Sequence, residues 1–289
     1  ENKKQFEVII NFVTKLDFLF TRCFISTKFN YCKPVIKEYK QSFLDAKDIR
    51  HPLIEHIQEN ELYVPNDISL GLENSHTGIL LYGTNAVGKS SLIRSIGMNI
   101  VLAQSGFFVP CSEFTYNPYD SIFTRILGND DIFKGLSTFA VEMSELNSIL
   151  NNANKNSLIL GDELCSGTEI NSALCIFSAG LIMLHKKDSS FIFATHFHEL
   201  IEYEEIKSLK RLSLQHMVVR YDEKLKMLVY DRKIKQGSGN KLYGLEVCKS
   251  LSMPREFLTL ANKLRCENIS TQHLILNQNT SKYNSKKVK

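Results

Sequence analysis

Between residues 3 and about 29, Phe6, Ile9, Ile10, Val13, Leu16, Phe20 and Phe24 recur at steps of three and four, the spacing that lines one face of an α-helix. One amphipathic helix, or two, is expected, with an apolar stripe that needs a partner. Pro34 in "NYCKP" (30–34) ends it, because the residue before a proline is pushed out of helical geometry. After a short polar stretch, residues 48–70 read as strand segments joined by turns and punctuated by Pro52 and Pro65. "GILLY" (78–82) has strand length, and Leu92, Ile93, Ile96, Ile100 and Val101 follow it at helical spacing. Residues 106–127 read as short strands, and a helix starts near Ser137 with Phe139, Met143, Leu146 and Leu150 on its inner stripe. "NSLILGDE" (156–163) is a buried strand ending in two acids, and "SSFIFATHFHEL" (189–200) holds another that ends at His196. "LSLQHMVVRY" and "KMLVYDRKI" flank "DEKL" and predict an antiparallel hairpin. Strands alternating with helices predict an α/β fold: a mostly parallel sheet with flanking crossover helices and an antiparallel portion, preceded by a helical segment.

Composition narrows the class. The chain has 289 residues, 43% hydrophobic and 23% charged, as expected for a globular protein of one large domain or two. No apolar run approaches the length of a membrane span, and no membrane partner is expected. The N-terminal "ENKKQFEV" lacks a signal-peptide layout and an initiator methionine, so the sequence reads as a piece of a longer chain cut within a helix. Seven scattered cysteines with no C-x-x-C pair argue against a disulfide framework or a zinc site and for an intracellular, reducing compartment. The net charge of +4 equals the contribution of Lys282, Lys286, Lys287 and Lys289, which lie in an acid-free stretch, residues 268–289. The body is therefore balanced and gives no electrostatic argument for a nucleic-acid surface. The polar, basic tail has the composition of a disordered segment.

The chemistry concentrates in "GTNAVGKSSLIR" (83–94). Gly83, Gly88, Lys89 and Ser90 fit G-x-x-x-x-G-K-[ST], and the strand before and helix after supply the context that this phosphate-binding loop requires. Backbone amides of Gly83, Thr84, Asn85, Ala86, Val87, Gly88, Lys89, Ser90 and Ser91 would converge on nucleotide phosphates at the positive end of the helix dipole. Lys89 would reach the β- and γ-phosphates, and the Ser90 hydroxyl would sit on Mg²⁺. The alternative is a glycine turn carrying a surface lysine. Seventy-three residues past Lys89, "LILGDE" supplies the acids: Asp162 to hold Mg²⁺ and Glu163 to orient and deprotonate an attacking water. His196, at the carboxyl edge of the sheet, is placed to sense a γ-phosphate or hold that water. H-x-H-E at 196–199 lacks the further ligands of a metal centre, and packing or exposure accounts for His198.

From about residue 10 to 266 the chain resembles the ATPase domain of the MutS family of DNA mismatch-repair proteins. "NYCKP", "DIRHPLIE", "YVPNDISL", the phosphate loop with Asn85 inside it, "GFFVPC" and "DSIFTRIL" carry the likeness. So do "GLSTFAVEMSEL", "DELCSGTE", "FATHFHEL" and "KLYGLEVCKSLSMPREFLTLA", in family order. The resemblance implies an ABC-type P-loop NTPase domain that uses ATP and Mg²⁺ and works as a homodimer or a MutS-like heterodimer with two composite sites. It implies that Ser137 of "GLSTF" reaches the partner's γ-phosphate from a helix N-terminus, a position suited to an anion. It also implies that Tyr63 and Val64 pack against the adenine, that Asn85 lies beside the γ-phosphate, and that His196 is a switch histidine.

Three positions depart from the family pattern. Ser166 stands where an arginine is usual, which puts that residue's contact across the dimer in doubt. Thr84 replaces a usual proline and Ser91 a usual threonine, neither with consequence for phosphate binding. The expected organisation is a helical lever end over 1–47, the ATPase domain over 48–267 and the tail over 268–289. Double-stranded DNA with mismatches would be contacted mainly by regions upstream, so this piece alone is not expected to read a mismatch. Two rival functions are another ABC-type ATPase and a nucleotide-gated DNA-binding module with negligible turnover. "GLSTF" in place of L-S-G-G-Q argues against a transporter motor, and Glu163 with His196 argues against an inert gate.

Overall fold

A computed structural model describes residues 2–57, 62–125, 138–165, 168–224, 227–239 and 244–265. Two compact units are distinguished, one formed by 1–218 with 231–239 and the other by 219–230 with 240–289.

In the first unit the chain opens with one helix, α1 (Asn2–Phe29). The expected stripe is present and turned outward: Phe6, Ile9, Ile10, Val13, Leu16, Phe20 and Phe24 are all exposed. What α1 does pack is near its end, where Phe18 meets Phe107 edge-on at 4.8 Å and Arg22 donates to the Gly106 carbonyl at 3.2 Å. Asn30 then takes a left-handed conformation, φ 53°, and closes the helix.

Strands β1 (Val35–Ile36), β2 (Phe43–Ile49), β3 (Asn66–Leu70) and β5 (Glu113–Asn117) form a four-stranded sheet in the order β1-β5-β2-β3. β2 runs antiparallel to both β3 and β5, and it crosses residue 47, where the sequence reading ended its helical region. Its buried residues Phe43, Leu44, Ala46 and Ile49 break strict alternation, and the step from Ala46 to Ile49 follows from a register slip between them. Within 48–70, expected as strand segments joined by turns, the end of β2 and all of β3 are strands, and a short helical turn α2 (Ile54–Ile57) lies between them. His51 Nδ1 starts it by accepting from the backbone amides of Leu53 and Ile54, each at 3.2 Å.

The second sheet has six strands in the order β10-β9-β4-β8-β7-β6. These are β4 (Gly78–Tyr82), β6 (Ser121–Arg125), β7 (Ser157–Asp162), β8 (Ser190–Thr195), β9 (Leu212–Asp222) and β10 (Met227–Gln236). From β6 to β9 every neighbouring pair is parallel. β4, β7 and β8 are buried along their whole length, which is why they read as continuous apolar runs. Helices α3 (Lys89–Gln104), α4 (Thr138–Asn152) and α5 (Ile170–Lys186) are the crossovers, followed by α6 (Glu204–Lys207). Phe177, Leu181, Phe191 and Phe193 anchor the core cluster, each aromatic contributing about 1.5–3 kcal/mol by burial. Gly161 is required there: a Cβ at that position would lie 2.1 Å from the Phe193 ring.

The second unit contains the outer part of the β9–β10 hairpin, α7 (Gly244–Ser250) and a helix over 255–265. Within it Lys249 lies over the Tyr221 ring at 5.8 Å. Among the described residues no helix is long and apolar enough to cross a membrane.

Candidate active site

Strand order decides what meets at the carboxyl edge of the six-stranded sheet. β8 lies between β4 and β7, and the register pairs Tyr82 with Thr195 and Asp162 with Ala194. The residues that follow these three strand ends are therefore neighbours although they come from three distant stretches of sequence. This edge is where open α/β sheets bind ligands.

After β4 the loop 83–88 turns into α3. Gly88, at the helix N-cap, has φ 109°, a left-handed conformation that costs a glycine little. No side chain caps the helix, so its first amides remain for an incoming anion. Ala86 is also left-handed at φ 64°, a strain the surrounding loop must hold. Lys89 is buried, and its Nζ donates to the carbonyls of Gly83 at 2.7 Å and Thr84 at 3.1 Å. Burial pulls its ammonium below the usual lysine value, against the opposing pull of the Glu163 and Asp162 carboxylates. Thr84, Asn85, Ala86, Gly88, Lys89, Ser90, Ser91 and Glu163 line a cleft of about 340 Å³. Of the predicted loop residues, Gly83 supplies its carbonyl from behind the cleft, and Val87 is fully buried and faces a second pocket.

Behind its place in the cleft lining, the Ser90 side chain reaches β7, where its hydroxyl donates to Asp162 Oδ2. Asp162 is 3% exposed, and its other oxygen, Oδ1, is buried without a hydrogen-bond partner among the described residues. An unsatisfied carboxylate oxygen beside a hydroxyl is costly unless something positive completes it. A hard, oxygen-seeking cation such as Mg²⁺ fits this donor set.

Glu163 follows with φ 53°, off the strand conformation, while its amide still donates to the Ala194 carbonyl at 3.1 Å. The turn swings its carboxylate toward β8, where Oε1 lies 2.6 Å from His196 Nε2. β8 stops at Thr195, one residue before the expected end, so His196 begins the following turn and is exposed. His198, expected to pack or to face solvent, stacks on Tyr82 with ring centroids 4.8 Å apart.

Tyr63 and Val64 line a smaller pocket beside the loop, together with Ile54, Asn66, Val87, Gly88, Ser91, Met217 and Arg232. Sequence reasoning missed Ile54, Asn66, Met217 and Arg232. Met217 is there because β9 pairs with β4, His216 opposite Tyr82, which sets Met217 beside the loop's start. Asn66 ties the wall together: its Nδ2 donates to the carbonyls of Val64 at 3.3 Å and Arg232 at 3.0 Å, and its Oδ1 accepts from the Ile234 amide at 2.9 Å. Ser137 and Ser166 lie outside the described residues.

A comparison with known families identifies this arrangement. The family model described as MutS domain V matches residues 79–268, more than half of the chain. The chain belongs to the MutS family. A DNA mismatch repair protein mutS homolog of Acanthamoeba polyphaga mimivirus is 38% identical over 299 residues, covering 91% of this chain and 27% of that protein. The mitochondrial DNA mismatch repair protein mutS homolog of Sarcophyton glaucum is 37% identical over 261 residues, 89% of this chain and 26% of its own length. The DNA mismatch repair protein MutS of Bacillus pumilus is 35% identical over 264 residues, with shares of 90% and 30%. The chain thus spans less than a third of these relatives. The domain V match begins inside β4 and takes in the phosphate loop, Asp162, Glu163 and His196, so every strand end that forms the cleft lies within the MutS region.

Proposed function

We propose that this MutS domain V binds ATP and Mg²⁺, hydrolyses ATP, and dimerises as it does so, as the motor of a DNA mismatch-repair protein. The single observation that carries the reading is the meeting of three strand ends: the loop with Lys89 on β4, Ser90 with Asp162 from β7, and Glu163 with His196 from β8.

Each side chain has a task that its surroundings favour. The uncapped first turn of α3 and the loop amides receive phosphate oxygens. Lys89 gives up its two carbonyl acceptors to the β- and γ-phosphates, a favourable exchange because a buried ammonium gains more from an anion than from neutral carbonyls. Ser90 and Asp162 would hold Mg²⁺, which when bound neutralises charge on the phosphate oxygens. Glu163 orients a water and takes its proton; His196, hydrogen-bonded to Glu163, fixes the direction of that carboxylate. The adenine would lie in the pocket of Tyr63 and Val64, with Asn85 near the γ-phosphate. Ser137 would complete the site of a second subunit, identical or MutS-like. Mismatched double-stranded DNA would be held mainly by other parts of the protein, and turnover here would change the state of that grip.

The division of labour between the two acids provides the test. Glu163→Gln should keep Mg-ATP binding and slow phosphate release by about two orders of magnitude or more, the scale of a lost general base. Asp162→Asn should instead weaken Mg²⁺-dependent nucleotide binding. Exchange of the two phenotypes would mean that the roles are reversed. Full turnover in Glu163→Gln would remove Glu163 from the role of base, and negligible turnover in the wild type would leave only a nucleotide-gated binding module.

A further inference from the structure

We propose that His198, stacked on Tyr82, is the positioning residue that aims His196 at Glu163. The inference rests on the hydrolytic reading above and adds a residue to which that reading assigns nothing.

The turn after β8 has a definite construction. Phe197 has φ −76° and ψ 83°, and the His198 amide donates to the His196 carbonyl at 2.9 Å. This is an inverse γ-turn, a common way to leave a strand. The hydroxyl of Thr195, itself 1% exposed, accepts from the Phe197 amide at 3.0 Å. A γ-turn throws consecutive side chains apart: His196 goes out to Glu163, and His198 folds back over the sheet. The surface it covers is Tyr82, fully buried, the register partner of Thr195 and the residue immediately before the phosphate loop. The two rings lie 4.8 Å apart and 29° from parallel, within the range of favourable aromatic pairing. One turn further, Leu200 is fully buried in the core.

His196 has none of this support of its own. Its side chain is 42% exposed, and apart from the Glu163 contact what directs its ring is the backbone from which it projects. That backbone is set by the Thr195 hydroxyl before it and by the His198 stack after it. Reacting groups need to be held to roughly 0.5 Å to act, and a displacement of about 1 Å from a remote change can cost about a hundredfold in rate. The Tyr82–His198 pair also joins the base of the phosphate loop to the turn that carries His196, so the two halves of the site share one brace.

The test uses His198→Ala, which removes the ring, and His198→Phe, which restores a stacking face. His198→Leu fills the space without one and stands in where the alanine variant does not fold. In spectra of ¹⁵N-histidine-labelled protein, the His196 Nε2 signal should move in His198→Ala toward its position in Glu163→Ala, and should stay at the wild-type position in His198→Phe. In steady-state turnover, His198→Ala should lower kcat at least tenfold with KM for ATP within about twofold, because Lys89 and its loop are untouched. His198→Phe should retain most of kcat. In a His196→Ala background, His198→Ala should have no further effect, since a residue acting only through His196 has nothing left to position. An unmoved His196 signal in both His198→Ala and His198→Leu, or an undiminished loss of kcat in the His196→Ala background, would overturn the proposal and leave His198 a packing residue. Wild-type protein without turnover would refute the hydrolytic reading, while the labelled spectra would still decide whether His198 aims His196.

Discussion

Among the described residues Glu142 is the least exposed charged group that faces another charge, and removing it has a calculable cost. It lies on α4, fully buried, and its Oε1 accepts from Arg125 Nη2 at 2.7 Å at the end of β6. The Arg125 side chain is 5% exposed, so the pair is out of water on both sides. Cutting one partner from a buried pair typically costs about 3–5 kcal/mol, because the survivor's charge remains desolvated. Here Arg125 keeps a second carboxylate, Glu145, with Nε and Oε2 3.1 Å apart, and Glu145 is partly in solvent. That residual partner places Glu142→Ala at the low end, about 3 kcal/mol. At about 2 °C per kcal/mol for a chain of this size, the midpoint of thermal unfolding should fall by about 6 °C. The chain has no tryptophan, so far-UV circular dichroism is the suitable signal, followed on heating for the midpoint and in urea for the free energy.

A second variant separates charge from packing. Glu142 Oε2 is buried without a hydrogen-bond partner among the described residues, so the pair is not fully satisfied even when intact. Replacing both partners at once, Arg125→Met with Glu142→Leu, should therefore cost less than Glu142→Ala alone. A loss below about 1 kcal/mol in Glu142→Ala, or a double variant worse than the single one, would refute the assignment of the cost to a stranded buried charge.

Two further outcomes are expected. Burial, reinforced by Arg94, holds His51 below the usual histidine value, and its Nδ1 already accepts two amides. The unfolded chain therefore takes up the proton first, and stability should be flat above about pH 6.5 and decline as pH falls below it. The urea midpoint of His51→Asn should drop less than that of wild type between pH 7.5 and 5.5, and equal drops would dismiss His51 as a source. If Ser137 acts across a dimer, mixing inactive Lys89→Ala with inactive Ser137→Arg should restore ATPase activity toward about a quarter of wild type, since one site of each mixed dimer escapes both lesions. Verified heterodimers without any recovery would place Ser137 in its own subunit's site or require both sites to fire together.

What was legible in the sequence was what is local or wholly buried. The loop 83–90 carries its chemistry within eight consecutive residues, and β4, β7 and β8 announce themselves because neither face meets water. β2 was obscured by its slipped register, and α2 by being a single turn whose start depends on a histidine side chain. The end of β8 was placed one residue late because "FATHFHEL" gives no sign that Phe197 adopts a γ-turn. Ile54, Met217 and Arg232 were out of reach for a different reason. Met217 and Arg232 join Tyr63 and Val64 through the register of β9 on β4 and through Asn66, contacts between segments that lie far apart in sequence, and Ile54 joins them through the turn of α2.

The same register explains why Glu163 can be oriented at all. A left-handed residue at a strand end stores about 1–3 kcal/mol of strain and would relax if only its side chain were held. Glu163 is held twice: its amide bonds the Ala194 carbonyl on β8, and its carboxylate bonds His196 in the turn that follows β8. The first anchor belongs to β8, which is locked to β7 on one side and to the strand bearing the phosphate loop on the other, and the second leaves β8 directly at its end. The direction of the carboxylate is thus a property of β8 and the turn that leaves it more than of the loop that contains Glu163. An amide at this position keeps both anchors and alters only the capacity to take a proton, whereas a shortened acid would surrender the His196 contact and confuse geometry with basicity. For this reason Glu163→Gln, and not Glu163→Asp, isolates the chemistry of the site.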